Sequence, residues 1–100
     1  MDFPEPIVRA IEALDSRERR KILQLLQDHG GLSYSAICKK MEGRIVKGTL
    51  SYHLNKLEAA GLISNYVKTD LGKESRYSFY KCTPLCIKLV YSIFKSFEGN

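Results

Sequence analysis

The chain is short of most things an enzyme works with. Only two histidines, His29 and His53, occur in 100 residues, and they lie far apart in the sequence. No serine stands on a nucleophile turn, no glycine-rich loop is built to cradle phosphate, and no carboxylates cluster; Gly30-Gly31 reads as a helix stop. Without a constellation of acid, base and nucleophile, the chain is not expected to be an enzyme and needs no cofactor. Three cysteines, an odd number in no framework spacing, give no disulfide scaffold and fit a reducing compartment. The longest nearly apolar stretch, Leu85 to Phe94, is broken by Lys88 and is too short to span a bilayer. The opening Met1-Asp2-Phe3-Pro4-Glu5-Pro6 is acidic and proline-rich where a secretory leader would be basic. The expectation is a cytoplasmic protein with no membrane partner. It should be a single domain over residues 1–100, with one modest core and no internal repeat.

What the chain does have is concentrated between Lys47 and Ile63. Leu50, Leu54, Leu57 and Gly61 recur at helical spacing and draw one apolar stripe. At about 100° per residue, Gly48, Tyr52, Asn55, Lys56 and Ala59 fall opposite that stripe, with Thr49 and Ser51 on its flanks. This second face is short, polar and cationic, and none of those positions is acidic. Gly61 then stops the helix, predicted over 47–60, and Leu62-Ile63 opens a strand. A helix that grips a core on one side and offers Ser, Thr, Tyr, Asn and Lys on the other suits the major groove of double-stranded DNA. An ordinary amphipathic helix with a solvated face is the competing reading. His53, near the boundary of the two faces, either reaches DNA or packs beside Leu50 or Leu57.

The charge map points the same way. The net charge is +5, and residues 39–81 carry nine of the sixteen basic residues but only four of the eleven acidic ones. Basic excess confined to one stretch marks a polyanion partner better than total charge does.

Around this segment the pattern gives five helices and a hairpin. Pro4 to Leu14 reads as a first helix lined by Ile7, Ala10, Ile11 and Leu14. Asp15 resembles the N-cap of a second, with Glu18 three residues on, and Ile22, Leu23, Leu25 and Leu26 form its buried face. Ser33 can cap a third helix running to about Glu42, with Ile37 and Met41 inward; Ile45 and Val46 read as packed residues of the connection that follows. Leu62 to Thr69 and Ser75 to Cys82 read as strands about a tip at Asp70-Leu71-Gly72-Lys73-Glu74. Lys68, Lys73 and Arg76 make this hairpin basic, placed to reach phosphates.

Thr83-Pro84 opens a last helix to about Phe97 that is apolar almost all round, polar only at Lys88, Ser92, Lys95 and Ser96. Such a helix is covered on more than one side. A 100-residue domain can hardly enclose its own terminal helix, so a second copy should supply part of the cover. Ile7, Ile11, Leu85, Leu89, Ile93, Phe94 and Phe97 are the candidate interface of a homodimer through the first and last helices. Cys82 and Cys86, four apart, are either small buried hydrophobes or a redox pair whose oxidation would disturb that contact.

Helix, helix, helix-turn-helix, two-stranded wing and final helix is the order of a winged helix-turn-helix domain, mainly α with a small β-wing. The run Gly48-Thr49-Leu50-Ser51-Tyr52-His53-Leu54-Asn55-Lys56-Leu57-Glu58-Ala59-Ala60-Gly61-Leu62-Ile63 resembles the signature of ArsR-like repressors, particularly short archaeal members. Arg20-Lys21-Ile22-Leu23-Gln24-Leu25-Leu26 is similar to that family's second helix, and Arg76-Tyr77-Ser78-Phe79-Tyr80 fits its second wing strand. The resemblance covers roughly residues 5 to 97. It implies a homodimer that binds operator DNA and controls transcription, with Ser51, Tyr52 and His53 contacting the groove and Lys47 and Thr49 at the start of the helix. Two departures stand out. Ser33-Tyr34-Ser35 occupies the place of the metal-sensing Cys-x-Cys pair, only Cys38 matches a family cysteine, and the last helix has no histidine. Hydroxyls are poor ligands for metals that thiolates select, so no metal is expected. The connection before the recognition helix is also about two residues longer than usual. Two other functions stay open: a winged-helix module that docks on a protein of the transcription machinery, and a thiol-redox-responsive regulator.

Overall fold

The computed structural model describes residues 2–69 and 76–98. Its elements run α1 (Glu5–Leu14), α2 (Arg17–His29), β1 (Leu32–Ser33), α3 (Tyr34–Lys40), α4 (Leu50–Ala59), β2 (Ile63–Thr69), β3 (Arg76–Cys82) and α5 (Pro84–Glu98). The fold is mainly helical with one small antiparallel sheet, consistent with a winged helix. Its strand order is β1-β3-β2. The sequence pattern omits β1. Two residues carry no periodicity, and this strand exists only because β3 lies beside it, pairing Leu32 with Tyr80 and Ser33 with Phe79.

The core is made where the stripes of the helices meet the inner face of the sheet. Ile22, Leu23 and Leu26 of α2, Ile37 of α3 and Leu50, Leu54 and Leu57 of α4 are buried against Met41, Leu62, Ile63, Tyr80 and Cys86. From α1 only Ala13 is buried, while Ile7 and Ile11 lie exposed. Leu14, at its C-terminal end, packs against the core, so α1 turns apolar residues both inward and outward.

Several boundaries differ from the pattern for identifiable reasons. Asp15 does not cap α2: its N–H closes α1 on the carbonyls of Ile11 and Glu12. Ser16 takes the cap instead, its Oγ accepting from Arg19 N at 3.2 Å and donating to Glu18 Oε2 at 3.1 Å. Helix α3 ends at Lys40, with Met41 as its C-cap, short of the expected Glu42. Helix α4 begins at Leu50 rather than Lys47, because Thr49 N–H donates to the Val46 carbonyl at 3.1 Å and closes a turn there. Val46 is 75% exposed, contrary to the packed role expected for it; Ile45 alone packs against the core.

The C-terminal end of α4 is fixed firmly. Gly61 adopts φ +74°, its N–H reaching the Glu58 carbonyl at 2.9 Å while Leu62 N–H reaches Leu57 at 3.0 Å. This double closure places Leu57 and Leu62 together in the core and turns the chain into β2. Thr83 then joins the same corner to α5. Its Oγ1 donates to the Gly61 carbonyl at 2.7 Å and accepts from Cys86 N at 3.2 Å, while its own N–H meets the Leu62 carbonyl at 3.0 Å. The start of α5 is thus bonded to the end of α4.

Gly31 carries a second special conformation, φ +119°, and a Cβ there would lie 2.5 Å from the Phe79 ring. Gly31→Ala should lower stability by about 1–3 kcal/mol, seen as a lower urea midpoint at unchanged slope. An unchanged midpoint would show that the ring moves aside freely.

Candidate nucleic-acid interface

Helix α4 is anchored by three buried leucines, so its outer side chains are held on a rigid support. Ser51, Tyr52, Asn55 and Lys56 are all exposed, Tyr52 at 56%. The Lys56 ammonium sits 5.7 Å from the Tyr52 ring centre, keeping cation and aromatic side by side on one face. Glu58 is exposed in the last turn, near enough to the Tyr80 phenol to add to the upward push of burial on its pKa. The outer face thus presents hydroxyl, phenol, amide and ammonium groups, the chemistry that meets base edges and phosphates.

The expected site residues separate into distinct positions. Lys47 is exposed in the turn before α4, at the open N-terminal end of that helix. Thr49 is the N-cap residue but makes no capping bond; its hydroxyl donates to the Val46 carbonyl and is engaged there. Ser51 Oγ lies 2.9 Å from the Tyr34 hydroxyl, so the first turn of α4 is tied to the first residue of α3. His53 is half-buried, with Nδ1 3.2 Å from Arg19 Nη1 of α2 and its ring edge-on to Tyr52 at 5.5 Å. Burial first, and the Arg19 charge second, hold its pKa below the ordinary imidazole range, with Glu18 acting the other way. His53 is thereby turned toward α2 rather than lying among the exposed outer residues.

The wing adds cations at a distance from α4. Strands β2 and β3 pair Tyr66 with Phe79, Lys68 with Tyr77 and Thr69 with Arg76. Lys68 is exposed with its ammonium 3.8 Å above the Phe79 ring centre, and Arg76 is exposed at the start of β3. Lys73 lies outside the described residues. Tyr34 and Arg19 are the two residues that pattern reasoning missed. Both act on α4 from other helices, across separations of 17 and 34 residues, and no local signal announces such a contact.

The proposed dimer residues are also sorted by the fold. On α5, Leu85, Ile93, Phe94 and Phe97 are 57%, 44%, 65% and 79% exposed, whereas Leu89 packs against the subunit's own core. Between α2 and α5 runs an apolar groove of about 880 Å³, floored by Leu23, Cys82 and Cys86 and walled by Val90 and Phe94. All three cysteines are free, Cys38 exposed and Cys86 buried. A hydrogen bond with Cys86, together with burial, raises the Cys82 pKa, and the same contact lowers that of Cys86. Among the described residues no three His, Cys, Asp or Glu side chains are grouped as a metal site would need, and no helix is long and apolar enough to cross a membrane.

Residues 14–64 match the family model described as a helix-turn-helix domain. No curated protein matches the chain. Among solved structures, the reduced form of the transcriptional regulator YodB from B. subtilis is similar, with a TM-score of 0.72 at 18% identity over 98% of this chain and 90% of that one. At that identity the likeness concerns the fold alone.

Proposed function

We propose that this chain, which belongs to the helix-turn-helix domain family, is a homodimeric, sequence-specific regulator of transcription of the ArsR-like type, acting as a repressor on double-stranded DNA. The observation that carries this reading is the division of α4. Leu50, Leu54 and Leu57 are at most 3% exposed, while Ser51, Tyr52, Asn55 and Lys56 stand in solvent on the other side, and the wing adds exposed Lys68 and Arg76. In this reading Tyr52 and Asn55 meet base edges, Ser51 sits at the margin of the groove, and Lys47, Lys56, Lys68 and Arg76 hold the phosphate backbone. A second copy covers the exposed apolar residues of α1 and α5 and spaces two α4 helices for adjacent half-sites. Cytoplasmic residence follows from the same role. Ser33 and Ser35, where thiolates would be needed, favour a regulator that does not sense thiophilic metals.

The test begins by selecting a preferred duplex from a random pool with the wild-type chain. Tyr52→Ala and Asn55→Ala should each cost about 1–3 kcal/mol on that duplex and much less on a random one of equal length. Both side chains are exposed, so neither change removes core packing. Equal losses on both duplexes would mean that α4 does not read sequence through these residues. Failure to enrich any duplex would favour docking onto a protein.

A further inference from the structure

Arg19 holds together three elements that set the angle of α4. Its Nε donates to the Ala13 carbonyl at 2.7 Å and its Nη2 to the Glu12 carbonyl at 3.1 Å, both at the end of α1. Carbonyls at a helix C-terminus have no partner within the helix, and a cation there is favoured by the helix dipole. The remaining arm, Nη1, lies 3.2 Å from Nδ1 of His53 on α4. A guanidinium can only donate. Nδ1 of His53 must therefore accept, which makes the imidazole neutral with its proton on Nε2. One side chain, itself on α2, thus fastens α1 to α4 through a defined tautomer.

We propose that Arg19 is a positioning residue for sequence reading, fixing the recognition helix against α1 through neutral His53, and that protonation of His53 releases this link. The proposal rests on the DNA-binding reading above. The charged surroundings are mixed. From α2 the ring faces Arg19 and Glu18. Glu5, Arg9 and Glu12 of α1 line the neighbouring cleft together with Arg19, Tyr52 and Lys56. On protonation Nδ1 becomes a donor facing another donor, and two cations stand against each other. Unfolded histidine takes its proton near pH 6.5, whereas the folded ring resists it. The link is therefore intact above about pH 6.5 and is lost as pH falls through the lower folded value. Added positive charge alone would strengthen binding to any phosphate backbone. A weakening confined to the selected sequence is thus a signature that general electrostatics does not produce.

The experiment follows binding to the selected duplex and to a random duplex from about pH 7.5 to about pH 5.5, the range over which histidine titrates. Long-range proton–nitrogen NMR of the histidines in the free protein accompanies it. Wild-type affinity for the selected duplex should fall measurably by about pH 5.5, by less than the roughly tenfold an unshifted histidine would allow, while random binding holds or rises. His53→Asn keeps an acceptor within reach of Arg19 and cannot titrate, so it should retain binding at neutral pH and flatten the profile. Arg19→Gln should lower selective binding about tenfold at neutral pH. The NMR spectrum should show the Nε2–H tautomer of His53. An Nδ1–H tautomer, or a wild-type pH profile in His53→Asn, would overturn the proposal. A wild-type chain that selects no duplex would overturn the DNA reading beneath it, and the tautomer of His53 would still show independently whether the link to Arg19 exists.

Discussion

Replacing Ile93 and Phe97 together by glutamate should convert a two-chain particle into a folded single chain. Light scattering of the wild-type protein at micromolar concentration should give twice the chain mass, and the variant should give the chain mass. The reason lies in where these side chains stand. Ile93 is 44% and Phe97 79% exposed within the subunit, so the core built on Ile22, Leu26, Ile37 and Leu57 does not depend on them. In the proposed dimer they are covered, and burying an unpaired carboxylate costs several kcal/mol. Two such groups per subunit should weaken association by at least about a thousandfold, since each 1.4 kcal/mol is a factor of ten. Far-ultraviolet circular dichroism should remain that of the wild type. A well-folded wild-type monomer at the same concentration would refute the dimer.

The same substitution bears on DNA. A monomer presents one α4 helix to one half-site and gives up the contacts of the second. Selective affinity should therefore drop by at least about a hundredfold, while the residual binding keeps whatever preference a half-site carries. The bare apolar surface gives this expectation its physical basis. Ile7 and Ile11 on α1 and Leu85, Phe94 and Phe97 on α5 are all at least 47% exposed, a concentration of apolar side chains that a solvated monomer seldom carries.

The parts of this arrangement that could be read from the sequence are those with a local cause. The stripe Leu50, Leu54, Leu57 is a helical period, and Gly61 marks its end because the closing turn requires a left-handed residue. Thr83-Pro84 is a short-range start signal, and the Thr83 hydroxyl does cap α5. The all-round apolar character of residues 85–97 likewise reappears as exposed apolar side chains. Where two neighbouring residues offer the same chemistry, local reasoning loses resolution. Asp15 and Ser16 are both competent caps, and the choice falls to Ser16 because Asp15 N–H is already closing α1. Contacts made only by tertiary packing left no trace. Strand β1 depends on β3, Ser51 is joined to Tyr34, and His53 is joined to Arg19. This last contact is the most consequential, because the proposal that Arg19 positions α4 through His53 rests on it.

Binding to the selected duplex should weaken about a thousandfold when salt rises from about 50 to about 200 mM. The expected size of the effect comes from the exposed cations near the proposed groove: Lys47 before α4, Lys56 on it, and Lys68 and Arg76 on the wing. If about three of these neutralise phosphates in each subunit, a dimer neutralises about six, and the slope of log K against log salt is near −5. A fourfold rise in salt then costs about three decades. The cations should act on both duplexes alike, since a phosphate carries no sequence information. Arg76→Ala should weaken selected and random DNA by similar factors and make the slope less steep by about one per subunit. Lys47→Ala should do the same from the other end of the site. Tyr52→Ala should leave the slope near −5 while removing selectivity, because a phenol releases no counterion. The two classes of variant therefore move different axes of one data set, the slope and the ratio between duplexes. A wild-type slope near zero would separate the basic surface from any polyanion and return the chain to the reading of a protein-docking module. A steep slope that none of these substitutions changes would place the phosphate contacts on other cations of the chain, with Lys47 and Arg76 solvated at the margin.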